Sequence, residues 1–197
     1  MAETTLPQAA PAFPRLAALA EALDDASLAA GERAGLAIAS IHCRPGHEAA
    51  LAAAVAPGLA TGPRLWRGKE LTLVGTGPGA WLALTEDPAP DWAQGLAARL
   101  AGIASVSDQS SGYAVLRLRG AAAAEVLARG PHIDLAPPAF APGSAAVTAI
   151  GHIGVILWRE DAAPGYEVAV FRSLADSFWR WLETAAAGAG CAIRRLR

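Results

Sequence analysis

The sequence predicts an α+β fold made of two split βαβ (ferredoxin-like) halves packed as one body. Two observations predict it. The order strand–helix–strand–strand–helix–strand can be read twice along the chain, and the two passes close on similar residues. Gly79-Ala80-Trp81 parallels Pro164-Gly165-Tyr166, and Trp92/Leu96 parallels Phe178/Leu182. Length agrees: 197 residues suit one domain and bury about 70% of the surface an unfolded chain exposes. The expected division is an N-terminal arm and linker over 1–34, then a single domain over 35–197 with halves 35–108 and 109–197.

The elements follow from local chemistry. The segment before residue 15 carries Glu3, Pro7, Pro11 and Pro14 and reads as a loose arm. Leu16, Leu19 and Leu23 share helical spacing over Arg15–Leu23, and small and acidic residues make a linker over Asp24–Gly35. In the first half, Leu36–His42 reads as a strand and Gly46–Ala56 as an alanine-rich helix stopped by Pro57-Gly58. Leu71–Gly75 and Trp81–Leu84 are strands joined through Gly77-Pro78-Gly79. A helix opens at Pro90-Asp91 with Trp92, Leu96 and Leu100 on one stripe, and Ile103–Ser107 closes the half.

In the second half Tyr113–Arg119 alternates, with Leu116 and Leu118 on one side and Arg117 and Arg119 on the other. A helix over Ala121–Arg129 ends at Gly130-Pro131. Ala145–Ile150, Ile153–Arg159 and Tyr166–Phe171 read as strands. Ser173 and Asp176 have capping-box spacing before a helix whose Leu174, Phe178, Trp181 and Leu182 are expected on the core face, and Cys191–Leu196 closes the unit.

Composition excludes several functions. A net charge of −2 lacks the basic field that broad nucleic-acid binding needs, and the Arg194, Arg195, Arg197 cluster is too short to reverse it. Cys43 and Cys191 form no disulfide framework, which points to a reducing cytoplasm. No leader pattern is visible, and the uncharged stretch Leu135–Trp158 is broken by Pro137, Pro138 and Pro142, so no membrane helix is expected. Apolar residues at 53% and charged ones at 17% suggest apolar surface meant for a partner. A biased genome is the competing explanation, since alanine dominates the excess and Lys69 is the only lysine.

No residue set carries chemistry. His42, Cys43 and His47 are one ligand short of a zinc site. Gly75-Thr76-Gly77-Pro78-Gly79 lies between strands rather than opening a helix, so it reads as a hairpin loop and not a phosphate cradle. His132 and Asp134 sit beside Pro131 with no nucleophile near, which favours turn chemistry over an acid–base pair. Catalytic, cofactor and metal residues are therefore expected to be none. Trp179 and Trp181 flank Arg180 on the last helix and point to different faces. Trp181 is assigned to the core and Trp179 to its border, where an aromatic beside Arg180 suits a partner interface and equally a side chain half-buried on its own strand. Docking through Trp179 and Arg180 is the expectation carried forward.

Asp108-Gln109-Ser110, then Tyr113–Gly120 and the helix ending Val126-Leu127-Ala128-Arg129-Gly130, resemble the opening of the folate-binding domain of the glycine-cleavage aminomethyltransferase family. The continuation is more specific: Asp134-Leu135, Pro138, Phe140, Pro142-Gly143, Leu157-Trp158, Gly165-Tyr166-Glu167 and Phe178-Trp179-Arg180-Trp181-Leu182. It resembles the gamma subunits of heterotetrameric sarcosine oxidases over about residues 103–197. That resemblance implies a folate-binding-domain-like fold. It also implies a non-catalytic subunit supporting oxidative demethylation of sarcosine to glycine beside alpha, beta and delta subunits. FAD, FMN, NAD and zinc are implied for those other subunits and no cofactor for this one. The aminomethyltransferases carry acidic residues after a glycine on a strand lining the folate pocket, whereas the corresponding Gly151–Ile156 has no carboxylate to anchor a charged amine. The alternatives are a folate-binding transferase, or a tRNA-modification or iron–sulfur-assembly relative of the same fold. The missing carboxylate disfavours the first, and the acidic balance without a cysteine signature disfavours the second.

Overall fold

The computed structural model describes residues 10–23, 26–59, 62–86, 88–136, 138–159 and 165–196. The expectations placed on Glu3, Pro7, Pro137, Pro164 and Arg197 lie outside the described residues. The elements run β1 (Ala29–Glu32), β2 (Ala37–Cys43), α1 (Glu48–Val55), β3 (Leu65–Arg67), β4 (Thr72–Gly77), β5 (Ala80–Thr85), α2 (Trp92–Arg99) and β6 (Ala104–Asp108). They continue with β7 (Tyr113–Arg119), α3 (Ala123–Ala128), β8 (Ala145–Ile150), β9 (Ile153–Arg159), β10 (Gly165–Phe171), α4 (Ala175–Gly188) and β11 (Arg194–Arg195). Two sheets result, ordered β3-β4-β5-β2-β6 and β11-β1-β7-β10-β9-β8.

The internal repeat is explicit in these orders. In each half the first strand (β2 or β7) lies between the fourth and the third, and the second strand (β4 or β9) carries an extra hairpin partner (β3 or β8) on its outer side. The sheets stack face to face through Ile38, Val74, Leu82 and Leu84 from one and Val115, Ala145, Ile156, Trp158 and Ala169 from the other. The helices cover the outer faces. Leu51, Val55, Leu96 and Leu100 pack on the first sheet, and Val126, Leu127, Phe178 and Leu182 on the second.

One expectation is corrected at the N-terminus. The linker before residue 35 contributes β1, which enters between β7 and β11 and pairs antiparallel with the former and parallel with the latter. The expected helix over Arg15–Leu23 is a 3-10 turn over Pro14–Ala18. Phe13, Leu16 and Leu28 are buried in the second-half core, so the arm belongs to the folded body. Glu32 fastens it by accepting the Ala12 and Phe13 amide N–H groups at 3.0 and 3.2 Å. Sequence reading missed β1 because Ala29-Ala30-Gly31-Glu32 has no alternation of large apolar residues. It missed β3 because three residues are too few to show a period.

Two small features position the rest. The Ser173/Asp176 capping box does not form: α4 starts after a 3-10 turn over Arg172–Leu174 with no side-chain cap, and Asp176 pairs with Arg180 and Arg15 instead. At the junction of the halves, Asp108 accepts from Ser110 Oγ at 2.7 Å and Ser110 N at 2.9 Å, which holds its carboxyl below the ordinary range. Removing that hydroxyl with Ser110→Ala should move the Asp108 titration upward in an NMR pH series. Because the folded carboxyl titrates below its unfolded value of about 4, the stabilisation is present above that value and fades as pH falls through the folded one.

The β8–β9 turn explains two glycines and one tryptophan. Gly151 and His152 both have positive φ, 55° and 67°, as a two-residue type I′ turn requires. A Cβ at Gly151 would lie 2.6 Å from Trp181 Cδ1, and one at Gly130 would lie 2.5 Å from Trp181 Cζ2. The indole is thus clasped between two backbones. Gly130→Ala should cost about 1–3 kcal/mol through overpacking, seen as a lower thermal midpoint that Trp181→Leu partly restores.

Candidate functional site

The residues singled out by sequence are not assembled into a reactive centre. His42 is exposed on β2, Cys43 points its Sγ at the Arg44 and Ile103 carbonyls, and the His47 Nδ1 lies 3.2 Å from the Pro45 carbonyl. Burial, with Glu48 nearby, pushes the Cys43 thiol up, away from the thiolate a nucleophile needs. Among the described residues no three His, Cys, Asp or Glu side chains group as a metal site. Asp134 accepts the Ala136 N–H at 2.8 Å in a local turn. Gly75–Gly79 forms the irregular end of the β4–β5 hairpin, with a register shift between Gly75 and Gly77.

The site with the most concentrated electrostatics was not foreseen. Glu167 on β10 is wholly buried on the face between the sheets, flanked across the ladder by Arg117 on β7 and Trp158 on β9. Its Oε1 accepts from Arg117 Nε and Nη2 at 2.7 and 2.6 Å, and its Oε2 accepts from Arg33 Nη1 at 2.6 Å. Arg33 also pairs outward with Glu86. Burial alone would lower the Arg33 pKa, but Glu167 and Glu86 more than offset it and hold the guanidinium above its ordinary value. A charged carboxylate in such a place requires partners on both oxygens, and the chain supplies both. Gly151–Ile156 carries no carboxylate, as its sequence dictates. The buried acid lies two strands from β8, on β10, and its own arginines close it to an incoming amine.

Beside this cluster lies a cleft of about 520 Å³. The arm residues Phe13 and Leu16 wall one side, with Arg117, Arg119 and Arg195 across from them. Its charges are locally paired: Arg195 with Glu21, Arg33 and Arg117 with Glu167, and Glu32 with two backbone amides. It is a seam between arm and sheet. Two signals could have found the cluster: a lone Glu inside the apolar run Tyr166-Glu167-Val168-Ala169-Val170, and Arg117 on the opposite side of β7 from Leu116 and Leu118.

The interface assignment of Trp179 is corrected. Trp179 is 1% exposed and packs against Phe13 with ring centroids 6.2 Å apart, while Trp181 is only partly buried, against Phe178 at 5.7 Å. The buried face of α4 is Ala175, Phe178, Trp179, Leu182, Ala185 and Ala186. At about 100° per residue those side chains centre near Leu182, which leaves Trp181 roughly 100° off the stripe and Trp179 about 60°. The arm then covers the Trp179 side. Arg180 is exposed at 66% and pairs with Asp176 at 2.8 Å, an exchangeable surface contact.

No curated protein matches the chain in sequence. A chain of the heterotetrameric sarcosine oxidase from Corynebacterium sp. U-96, solved with pyrrole 2-carboxylate, superposes with a TM-score of 0.78 at 28% identity, covering 92% of this chain and 96% of that one. The glycine cleavage system aminomethyltransferase T from Bartonella henselae superposes with a TM-score of 0.64 at 14% identity, over 94% of this chain and 50% of that one, and shares the fold. Residues 44–188 match the sarcosine oxidase, gamma subunit family, and with most of its length matched the chain belongs to that family.

Proposed function

We propose that this chain is the gamma subunit of a heterotetrameric sarcosine oxidase and works by docking onto the alpha, beta and delta subunits rather than by chemistry of its own. The observation that carries the reading is the end-to-end correspondence with a chain of such an enzyme, 92% of one and 96% of the other. The arginine-closed Glu167 supports it, because the one buried carboxylate among the described residues has both oxygens engaged within the chain. In this reading FAD, FMN, NAD and zinc sit in the other subunits, where sarcosine is oxidatively demethylated to glycine. The two free thiols, Cys43 and Cys191, support a reducing cytoplasmic setting. Among the described residues no helix is long and apolar enough to cross a membrane. Arg180, exposed on α4, remains a contact residue in this proposal.

Purified alone, the chain should be colourless and form no peroxide with sarcosine, whereas co-expression with the other three subunits should yield a flavin-coloured complex containing it. A fully assembled, fully active oxidase that excludes this chain would overturn the proposal. So would flavin retained by the chain alone.

A further inference from the structure

We infer that the outer edge of β8 is a docking edge, which takes an extended segment of another subunit as an additional strand of the second sheet. The inference rests on the subunit reading above and identifies the surface it uses.

Sheets end in edges, and proteins blunt them with charge, proline, bulges or a covering segment. Three of the four edges here are treated so. β11 consists of Arg194 and Arg195, and its outer side already bonds Ala20 and Ala22 through Arg195 N–H and carbonyl. β3 is preceded by Pro63-Arg64 and ends at Arg67. β6 carries Ser105 and Ser107 and ends at Asp108. Beyond Ala145, β8 has none of these among the described residues: its sequence is Ala-Ala-Val-Thr-Ala-Ile, its register with β9 runs unbroken from Ala145 to Ile150, and Pro63 covers its first rung alone.

The backbone direction follows from the ladder. The Ser144 carbonyl accepts from Arg159 N–H, and the tight turn at Gly151-His152 makes Ile150 and Ile153 a bonded pair, so even-numbered residues of β8 face β9. Ala145, Val147 and Ala149 therefore direct N–H and C=O outward. Ala145 N–H is used, donating to the Pro63 carbonyl at 2.9 Å, beside a bridge between Arg64 and Ser144. The edge thus already accepts one rung of extended chain. The outward groups of Val147 and Ala149 bond no described residue, and Val147 is 57% exposed, one of four large apolar side chains so placed among the described residues. The hairpin turn packs against the partly exposed Trp181, so an apolar margin adjoins the open rungs.

Main-chain groups in this arrangement recognise an extended backbone, and small uncharged side chains let it approach. The occupant is a segment of a different subunit rather than a second copy, since the sarcosine oxidase this chain resembles is a heterotetramer.

Hydrogen exchange read on peptides spanning Val147–Ala149 should be fast in the chain alone and slowed in the assembled complex. Ala149→Pro removes an outward N–H without touching the β8–β9 ladder, and should weaken assembly at least about tenfold while shifting the melt of the chain alone by a few degrees only. Val147→Lys puts charge on the edge and should do the same if the proline variant fails to fold. Val147→Ala keeps the amide and should assemble within about threefold of the parent chain. Unchanged exchange in a complex that forms normally, or normal assembly of both Ala149→Pro and Val147→Lys, overturns the inference while leaving the subunit reading standing. Failure of the parent chain to assemble at all removes the subunit reading. Concentration-dependent protection of the same amides in the chain alone would assign the edge to self-pairing and overturn the choice of occupant.

Discussion

Replacing Glu167 with Gln should destabilise the chain by about 3–5 kcal/mol, because it leaves Arg33 and Arg117 facing each other in a site built around a negative charge. Glu167 is wholly buried and the Arg33 side chain is 13% exposed, so water can screen little of the lost interaction. For a chain of this length each kcal/mol shifts the melting midpoint by roughly 2–4 °C, which places the expected drop between about 6 and 20 °C. The loss should concentrate at the arm, since Arg33 immediately follows β1. A triple variant, Glu167→Leu with Arg117→Met and Arg33→Met, should recover much of the stability, as apolar replacements of whole buried ion clusters often do. A Glu167→Gln protein melting within 2 °C of the parent, an interval smaller than one kcal/mol implies, would show that the cluster is solvated and not a buried tie.

Trp179→Ala should cost about as much, 3–5 kcal/mol in order of magnitude, for the reason that governs other large-to-small core changes. The indole lies at the centre of a contact among α4, the arm and the second-half core, with Phe13 against one side. Emptying that volume should release the arm, so limited proteolysis near Phe13 should accelerate together with the fall in melting midpoint. Trp181→Ala should cost less, because its ring is partly exposed. This ordering reverses the one expected from the helix pattern alone. A Trp179→Ala chain that melts normally yet fails to assemble would restore Trp179 to an interface.

How far each element was legible follows from its neighbours. Tyr113–Arg119, Ala145–Ile150 and Ile153–Arg159 coincide with the expected strands, and each has a continuous ladder partner. Helices α1–α4 came out within a few residues, two of them stopped chemically by Pro57-Gly58 and Gly130-Pro131, whereas the helix expected over Arg15–Leu23 did not form. The split βαβ repeat is visible in both sheet orders, with β1 inserted between the first and fourth strands of the second. Local pattern carried no information about β1, whose place between β7 and β11 is set by partners distant in sequence.

By itself, then, the sequence determined the fold class and the duplicated element order, and the resemblance carried by about residues 103–197 pointed to the family. Fold class and element order depend on periodicity and turn residues, which are local. Tertiary structure alone decided that Glu167 is buried between two arginines, one of them 134 residues away. It also decided which tryptophan of α4 lies in the core, because the arm covers one flank of that helix and two glycine backbones clasp the other. Burial depends on what covers a face, and the covering segments come from elsewhere in the chain. No period in the covered segment records them.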